Sequence, residues 1–221
     1  IILELERGQR AGVDTLIDIS RVHGLDRITL EGDTLRLGPL VTHNHVVSST
    51  LCVERAFPLA QACWDVGAPQ IRNRGTVAGN LITASPANDA IVPLLALDAI
   101  ITLASAARGQ RTLPLVDFIT GFRSVDMADD EILTRISIPL LPTQTQGTFI
   151  KLGLRRAQAI SVVSVAAAIR REGETIADAR ISLGSVAPVV VRAAEAEAHL
   201  LGQALHEDVI EQAATLALDA V

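Results

Sequence analysis

Between Gln70 and Asp89 the chain reads Gln70-Ile71-Arg72-Asn73-Arg74-Gly75-Thr76-Val77-Ala78-Gly79-Asn80-Leu81, then Thr83-Ala84-Ser85-Pro86 and Asp89. Gly75, Ala78 and Gly79 carry little or no side chain, so a ligand can approach the backbone closely there. Successive backbone N–H groups in such a loop can converge on an anion. Thr76 and Asn80 add donors that would fix orientation. The helix expected after Pro86 points its positive end at the same space. A pyrophosphate would be well served. The stretch contains no GK[ST] and no GxGxxG, so it is neither a Walker A loop nor a Rossmann fingerprint. An ordinary glycine-rich connector has the same composition, and spacing alone does not separate the two.

Other constellations offer less. His43 and His45 stand two apart, not the three or four that puts two ligands on one helix face. Ser85 lacks the strand-and-elbow context of a G-x-S-x-G nucleophile. Asp129-Asp130-Glu131 reads as a solvated turn, and Arg155-Arg156 as an interface pair, a cofactor-edge pair or plain surface. Cys52 and Cys63 are the only cysteines. An iron–sulfur cluster of the [2Fe–2S] type needs about four protein ligands, so this chain does not hold one in the usual way. Both cysteines read as buried small hydrophobes on a helix. No residue stands out as a general acid or base, and no metal site is expected.

The elements that must position the loop are mixed. Residues 13–19 alternate apolar and polar as a half-buried strand does. Residues 28–31 and 34–37 flank Gly32-Asp33 and predict a hairpin. Thr42 is placed to cap a short helix over 43–49. One longer helix is expected over 54–66, with Pro58 in its first turns and Gly67 just past its end. Residues 68–88 have no helical period and predict a long functional loop. Asn88 or Asp89 would cap a helix over 89–97. Strands are expected at 99–104, 111–113 and 131–138, with a short helix from Val116. Leu141–Gly147 reads as a connector. Strands at 148–154, 162–171 and 176–184 follow, then helices at 192–201 and 207–220. Strands and helices with few βαβ units predict an α+β class in both parts.

The composition sets outer limits. The 221 residues are 49% hydrophobic and carry a net charge of −6. An acidic chain is a poor partner for nucleic acid or an anionic membrane. With 2% aromatics and no Tyr, it has few platforms for stacked bases. No apolar run approaches the ~20 residues of a membrane span. The opening Ile1–Glu6 is neither a signal peptide nor an initiator Met and reads as mid-strand, and the end reads as mid-helix. Both ends look cut. The expected location is the cytoplasm, with any membrane association made through a complex.

The stretch Arg72–Leu81, with Ala84-Ser85-Pro86, Asp89 and Leu94-Leu95-Ala96-Leu97-Asp98-Ala99, resembles the second FAD-binding segment of molybdenum hydroxylases. That family includes the xanthine dehydrogenase flavin domain and the medium subunit of carbon monoxide dehydrogenase-type enzymes. Asp117–Arg123, Asp130–Leu133, Phe149–Gly153 and Arg155-Arg156 resemble its later blocks, so the likeness runs through essentially the whole chain in family order. It implies a PCMH-type FAD-binding domain over 1–141, lacking its N-terminal FAD loop, and a small α+β C-terminal domain over 146–221, incomplete at its end. It also implies the site. Thr76, Val77, Ala78, Gly79 and Asn80 match the backbone loop holding FAD phosphates and flavin. Ala84, Ser85 and Pro86 continue that segment, and Asp89 matches an acidic cofactor contact. Leu133 matches a flavin-packing position, Val66 an apolar contact and Lys151 a basic residue near the ring. A cation near the flavin N1–C2=O edge would stabilise the anionic reduced form; a plain strand-surface lysine is the alternative.

Two departures stand out. The family's first FAD loop would lie just before Ile1, and Ala78 stands where many members have Gly. The resemblance implies an electron-transfer subunit. A partner with a molybdenum cofactor would oxidise substrate, a [2Fe–2S] partner would relay electrons, and FAD on this chain would pass them on to an external acceptor. A dimer of heterotrimers is the implied assembly. The alternatives are a self-contained FAD reductase or oxidase, for which residues 146–221 offer His199 and His206, and a scaffold subunit that has lost flavin.

Overall fold

The computed structural model describes residues 5–9, 12–155 and 157–221. Residues 1–4 of the stretch 1–6 expected as mid-strand, and the role of Arg156, lie outside them; Leu5 and Glu6 are described and are helical, not extended. Residues 13–19 are described, and they form no strand. Their side chains are exposed, Ile17 to 83%. A half-buried strand needs a neighbour to pair with, and no described strand lies beside this segment.

Regular structure begins with β1 (Ile28–Glu31) and β2 (Thr34–Leu37), joined as expected by a two-residue turn with Gly32 at φ +56°. Leu35 and Leu37 point into the core and Thr34 and Arg36 away from it, the period-two pattern of a strand with one buried face. Next come α1 (His43–Ser48), α2 (Thr50–Arg55) and α3 (Phe57–Asp65). The single helix expected over 54–66 is broken at Ala56, which adopts φ −144° and ψ 47°. The break has a cause. Pro58 has no N–H to donate, so it suits the first turn of a new helix and not the interior of a continuous one.

The supposed loop over 68–88 holds two short helices, α4 (Pro69–Arg72) and α5 (Val77–Thr83). They are too short for a periodic signal to stand out in the sequence. The next helix, α6 (Ile91–Ala96), is capped by Ala90 rather than Asn88 or Asp89, whose side chains are engaged elsewhere. Every α6 residue is buried, so it is apolar all round.

Strands β3 (Ile100–Ser105) and β4 (Gly109–Pro114) precede α7 (Leu115–Phe118), the small hairpin β5 (Ile119–Gly121) and β6 (Ser124–Val125), and then β7 (Glu131–Pro139). An antiparallel sheet runs in the order β1-β2-β7-β3-β4. The second lobe has β8 (Thr145–Gly153), β9 (Ser161–Glu172), β10 (Thr175–Gly184) and β11 (Val191–Arg192). Its antiparallel order is β11-β10-β9-β8. Helices α8 (Ala194–Leu200) and α9 (Glu207–Leu218) close it over a small core of Ile176, Ala179, Leu183, Ala196, Leu200 and Ala213. The α+β class is as expected.

The two lobes meet on α6. The face of β9 and β10 toward it is built of small residues: Ala166, Ala168, Ser164, Ser182 and Gly184. Ser182 donates its hydroxyl to the Val92 carbonyl at 2.6 Å, and the Ser185 N–H reaches the Pro86 carbonyl at 2.9 Å. Asp98 accepts from Arg180 at 2.6 Å and from Arg192 at 2.7 Å on the rim of the same contact.

Candidate functional site

The glycine-rich segment is held by a short backbone ladder. The His43 N–H donates to the Gly75 carbonyl at 3.0 Å, and the Val77 N–H donates to the Val41 carbonyl at 2.9 Å. Thr42 and Thr76 face each other between them as an antiparallel bridge. Each threonine then caps a helix. The Thr42 hydroxyl accepts from the His45 N–H at 3.1 Å to start α1, and the Thr76 hydroxyl accepts from the Gly79 N–H at 3.0 Å to start α5. The segment is therefore fixed before any ligand arrives.

These bonds revise the picture of a row of free N–H groups. Val77 gives its N–H to Val41, Gly79 gives its own to Thr76 Oγ1, and the Asn80 N–H bonds the Thr76 carbonyl at 3.0 Å. The Thr76 hydroxyl accepts at its oxygen, which leaves its proton to donate. At six residues, α6 adds little macrodipole, so the positive helix end expected after Pro86 is a minor contributor. Asn80 takes part through its carbonyl, which accepts from Asn88 Nδ2 at 2.7 Å. Its side-chain Oδ1 is buried without a partner. A buried amide oxygen in that state is costly and calls for a donor.

Gly79 supplies the room. Apart from its chain neighbours and the backbone of its own helix, the nearest atom to the place where a Cβ would stand is Thr76 Oγ1, at 2.9 Å, with nothing else within 4 Å. The rest of that flank is open. A ligand can thus lie against the Gly79 backbone beside the Thr76 hydroxyl. Gly75 is different. A Cβ there would sit 3.1 Å from the Ile71 carbonyl and 3.3 Å from the His43 ring, so a larger residue would press on both.

Ala84 ends α5 in the left-handed region at φ 43°, and its carbonyl accepts from the Arg123 N–H at 3.1 Å. The Ser85 carbonyl closes a turn with the Asn88 N–H at 3.0 Å, and Pro86 is tied to Ser185 of the second lobe. That turn delivers Asp89 to the seam between lobes. Lys151 on β8 meets it there, Nζ to Oδ2 at 2.6 Å, with the two side chains 8% and 7% exposed. Ser161 at the start of β9 donates to the other carboxylate oxygen at 2.7 Å. Burial pushes the Asp89 carboxyl up from its usual range, and the Lys151 and Ser161 bonds pull against that rise. Lys151 is thus not a plain strand-surface lysine. Its ammonium also lies 3.4 Å from the Asp65 carbonyl, at the end of α3.

Val66 follows as the C-cap of α3. Its carbonyl and that of Trp64 accept from Arg72 Nη1 at 3.2 and 2.9 Å, and the Arg72 guanidinium lies over the Trp64 ring, 4.9 Å from its centroid. Leu133 is 3% exposed on β7, opposite Leu103, in the same core as Val77 and Leu81. The structure therefore brings Thr76, Val77, Ala78, Gly79 and Asn80 together, joins Asp89 to Lys151, and keeps Leu133 inside the core. Sequence reasoning missed Ser161, which is 72 residues from Asp89 and carries no local signal. It also missed His43 as a partner of Gly75. The clue available was Thr42, whose role as a helix cap fixes where the next residue points.

Asp129 and Asp130 form the exposed turn expected, while Glu131 opens β7 with its side chain buried. The Asp130 carboxylate pairs with Arg108 and accepts from the Ser105 hydroxyl at 2.7 Å. Arg111 binds Glu131 at 2.7 Å and Asp126 at 2.8 Å. His43 and His45 belong to no metal cluster among the described residues. His45 completes the capping box with Thr42, and His43 is buried against Cys63. Cys52 and Cys63 are both free and buried.

Comparison with known proteins accounts for this architecture. Residues 2–141 match the FAD binding domain in molybdopterin dehydrogenase, and residues 148–221 match the CO dehydrogenase flavoprotein C-terminal domain. The carbon monoxide dehydrogenase medium chain of Hydrogenophaga pseudoflava is 30% identical over 217 residues, which is 98% of this chain and 75% of that protein. The glyceraldehyde dehydrogenase medium chain of Sulfolobus acidocaldarius is 31% identical over 202 residues, or 91% and 71%. The solved carbon monoxide dehydrogenase of H. pseudoflava superposes with a TM-score of 0.83 at 31% identity, over 87% of this chain and 66% of that one. Quinoline 2-oxidoreductase of Pseudomonas putida 86 gives 0.81 at 28% identity, over the same shares. The described helices include none long and apolar enough to cross a membrane. The chain belongs to the FAD-binding medium subunits of the molybdenum hydroxylase family, of the carbon monoxide dehydrogenase type.

Proposed function

We propose that this chain holds FAD along the Thr76–Asn80 segment and passes electrons from an iron–sulfur partner to an external acceptor. The open flank at Gly79, beside a Thr76 hydroxyl whose proton is uncommitted, carries this reading. The residues fit the cofactor. Gly79 lets a diphosphate lie close to the backbone and Thr76 donates to it, while Ala78 turns its methyl into the core behind them. Asn80 Oδ1 offers an acceptor that lacks a donor within the protein. When bound, FAD supplies the exchange between one-electron and two-electron carriers. The chain's own task is placement. Ala84, Ser85 and Pro86 set the turn that carries Asp89 to Lys151, and Asp89 with Ser161 holds the ammonium in place at the seam. Leu133 backs the segment from within the core, and Val66 is assigned to the cofactor by resemblance alone. Substrate oxidation is assigned to a molybdenum-cofactor partner. The residues divide into an FAD-binding domain over 1–141 and a C-terminal domain over 146–221, working in a complex of molybdenum, iron–sulfur and flavin subunits, a dimer of heterotrimers, in the cytoplasm.

The test is the absorption spectrum of the full-length chain purified with its partners. A stoichiometric flavin band that bleaches when dithionite-reduced iron–sulfur partner is added supports electron relay. Bleaching by NADH or an organic donor without that partner would favour a self-contained flavoenzyme, and no extractable FAD would leave a scaffold.

A further inference from the structure

The geometry points to His43 as a positioning residue for the cofactor segment: its ring braces Gly75 so that the ladder presents Thr76 in the right register. This inference rests on the reading of Thr76–Asn80 as the FAD cradle. His43 is 2% exposed, and its Nδ1 lies 3.3 Å from Cys63 Sγ on α3. The opposite edge of the ring faces Gly75, with Cδ2 at 3.3 Å and Nε2 at 3.7 Å from the glycine's would-be Cβ. Its own N–H bonds the Gly75 carbonyl. One residue thus bonds the Gly75 carbonyl through its backbone, borders the space beside the glycine with its ring, and is anchored through Cys63 to the last turn of α3.

The ring does this as a neutral group. Burial, with the nearby Arg72 cation adding to it, lowers the His43 pKa to about 4, and burial raises the Cys63 thiol well above its ordinary value. Neither partner is charged at neutral pH, so the contact works by shape and hydrogen bonding. The Ile71 carbonyl accepts the Gly75 N–H at 2.7 Å and borders the same space beside the glycine as the His43 ring. Removing the ring edge opens that space and leaves Gly75 held by its backbone bonds alone.

The experiment uses the purified, deflavinated full complex and reads the FAD dissociation constant by quenching of flavin fluorescence, beside the melting temperature of the apo form. Three variants separate the two edges of the ring. His43→Gln extends an amide to the Nε2 position and keeps the contact with Gly75. His43→Asn reaches only to the Nδ1 position and keeps the contact with Cys63. His43→Ala keeps neither. Binding weaker by tenfold or more is expected for Ala and Asn, with Gln within about threefold of the parent, whatever the apo melting temperatures. Equal affinities across the series would overturn the inference. So would affinities that follow apo stability alone, with Gln and Asn failing alike. If the Ala variant does not assemble, the Gln and Asn pair decides. Thr76→Val is the separate control: FAD binding unchanged in that variant would sink the cradle itself, independently of His43.

Discussion

Lys151 Nζ and Asp89 Oδ2 meet at 2.6 Å across the seam between the two lobes, and both side chains are almost fully buried. One comes from strand β8 and the other from the turn that precedes α6, 62 residues apart in sequence. The pair joins the end of the candidate cofactor segment to the second lobe. A buried ion pair adds little net stability over an apolar pair, but removing one partner leaves an uncompensated charge. Lys151→Met alone should therefore cost about 3–5 kcal/mol. Adding Asp89→Asn should recover much of that loss. Urea unfolding of the parent, both single variants and the double variant checks this. Additive losses would mean that the two groups do not depend on each other.

Thr76 combines two roles at one hydroxyl. It caps α5 by accepting from the Gly79 N–H, and its proton is left to donate beside Gly79. Thr76→Ala should cost about 1 kcal/mol of stability through the lost cap. It should weaken FAD binding more than that figure implies, because the donor to the ligand goes with it. Thr76→Ser should restore both. Thermal melts of the apo form and FAD titration separate the two effects.

The segment that carries the family likeness was legible in the sequence because its glycines and polar residues are contiguous. The hairpin at Gly32 and the strand pair β3–β4 were equally legible, since each pairs with its near neighbour in sequence. Three features were not. Helices α4 and α5 are shorter than two turns, so composition read them as loop. The break at Ala56 depends on Pro58 starting a new helix, where the apolar run alone suggests one. The partners of Asp89 and Gly75, namely Lys151, Ser161 and His43, are set by tertiary packing and have no local signature. Alternation at 13–19 misled for the opposite reason: the pattern of a strand is present without a described neighbour to pair with.

Glu131 gives a prediction in pH. Arg111, helped by the Ala128 N–H, lowers its carboxyl from 4.5 to about 2. A depressed folded-state value stabilises the fold above the unfolded value and loses that contribution as pH falls through the folded one. The loss should therefore fall between about pH 4.5 and pH 2. Asp126 is lowered by the same arginine and acts in the same direction. Glu131→Gln should flatten the stability profile in that window and leave the change above it small. Unfolding midpoints measured from pH 6 downward would show it; an unchanged slope would mean that the pairing with Arg111 does not persist in solution.

Gly184 tests how tightly the lobes fit. A Cβ at that position would sit 2.5 Å from Val92 Cγ2, 2.6 Å from Ser164 Oγ and 3.3 Å from the Pro86 carbonyl. Val92 and Pro86 belong to the first lobe and Ser164 to the second, so a single methyl wedges the seam from both sides. The Ser182 bond to the Val92 carbonyl sits beside it and would stretch. Overpacking of this kind costs about 1–3 kcal/mol. Because the seam also holds Lys151 to Asp89, Gly184→Ala should loosen that pair and speed proteolysis in the 141–145 connector. Limited proteolysis with mass readout checks the cut site. Stability lost with no faster cleavage there would mean that the lobes unfold together and the seam does not open on its own.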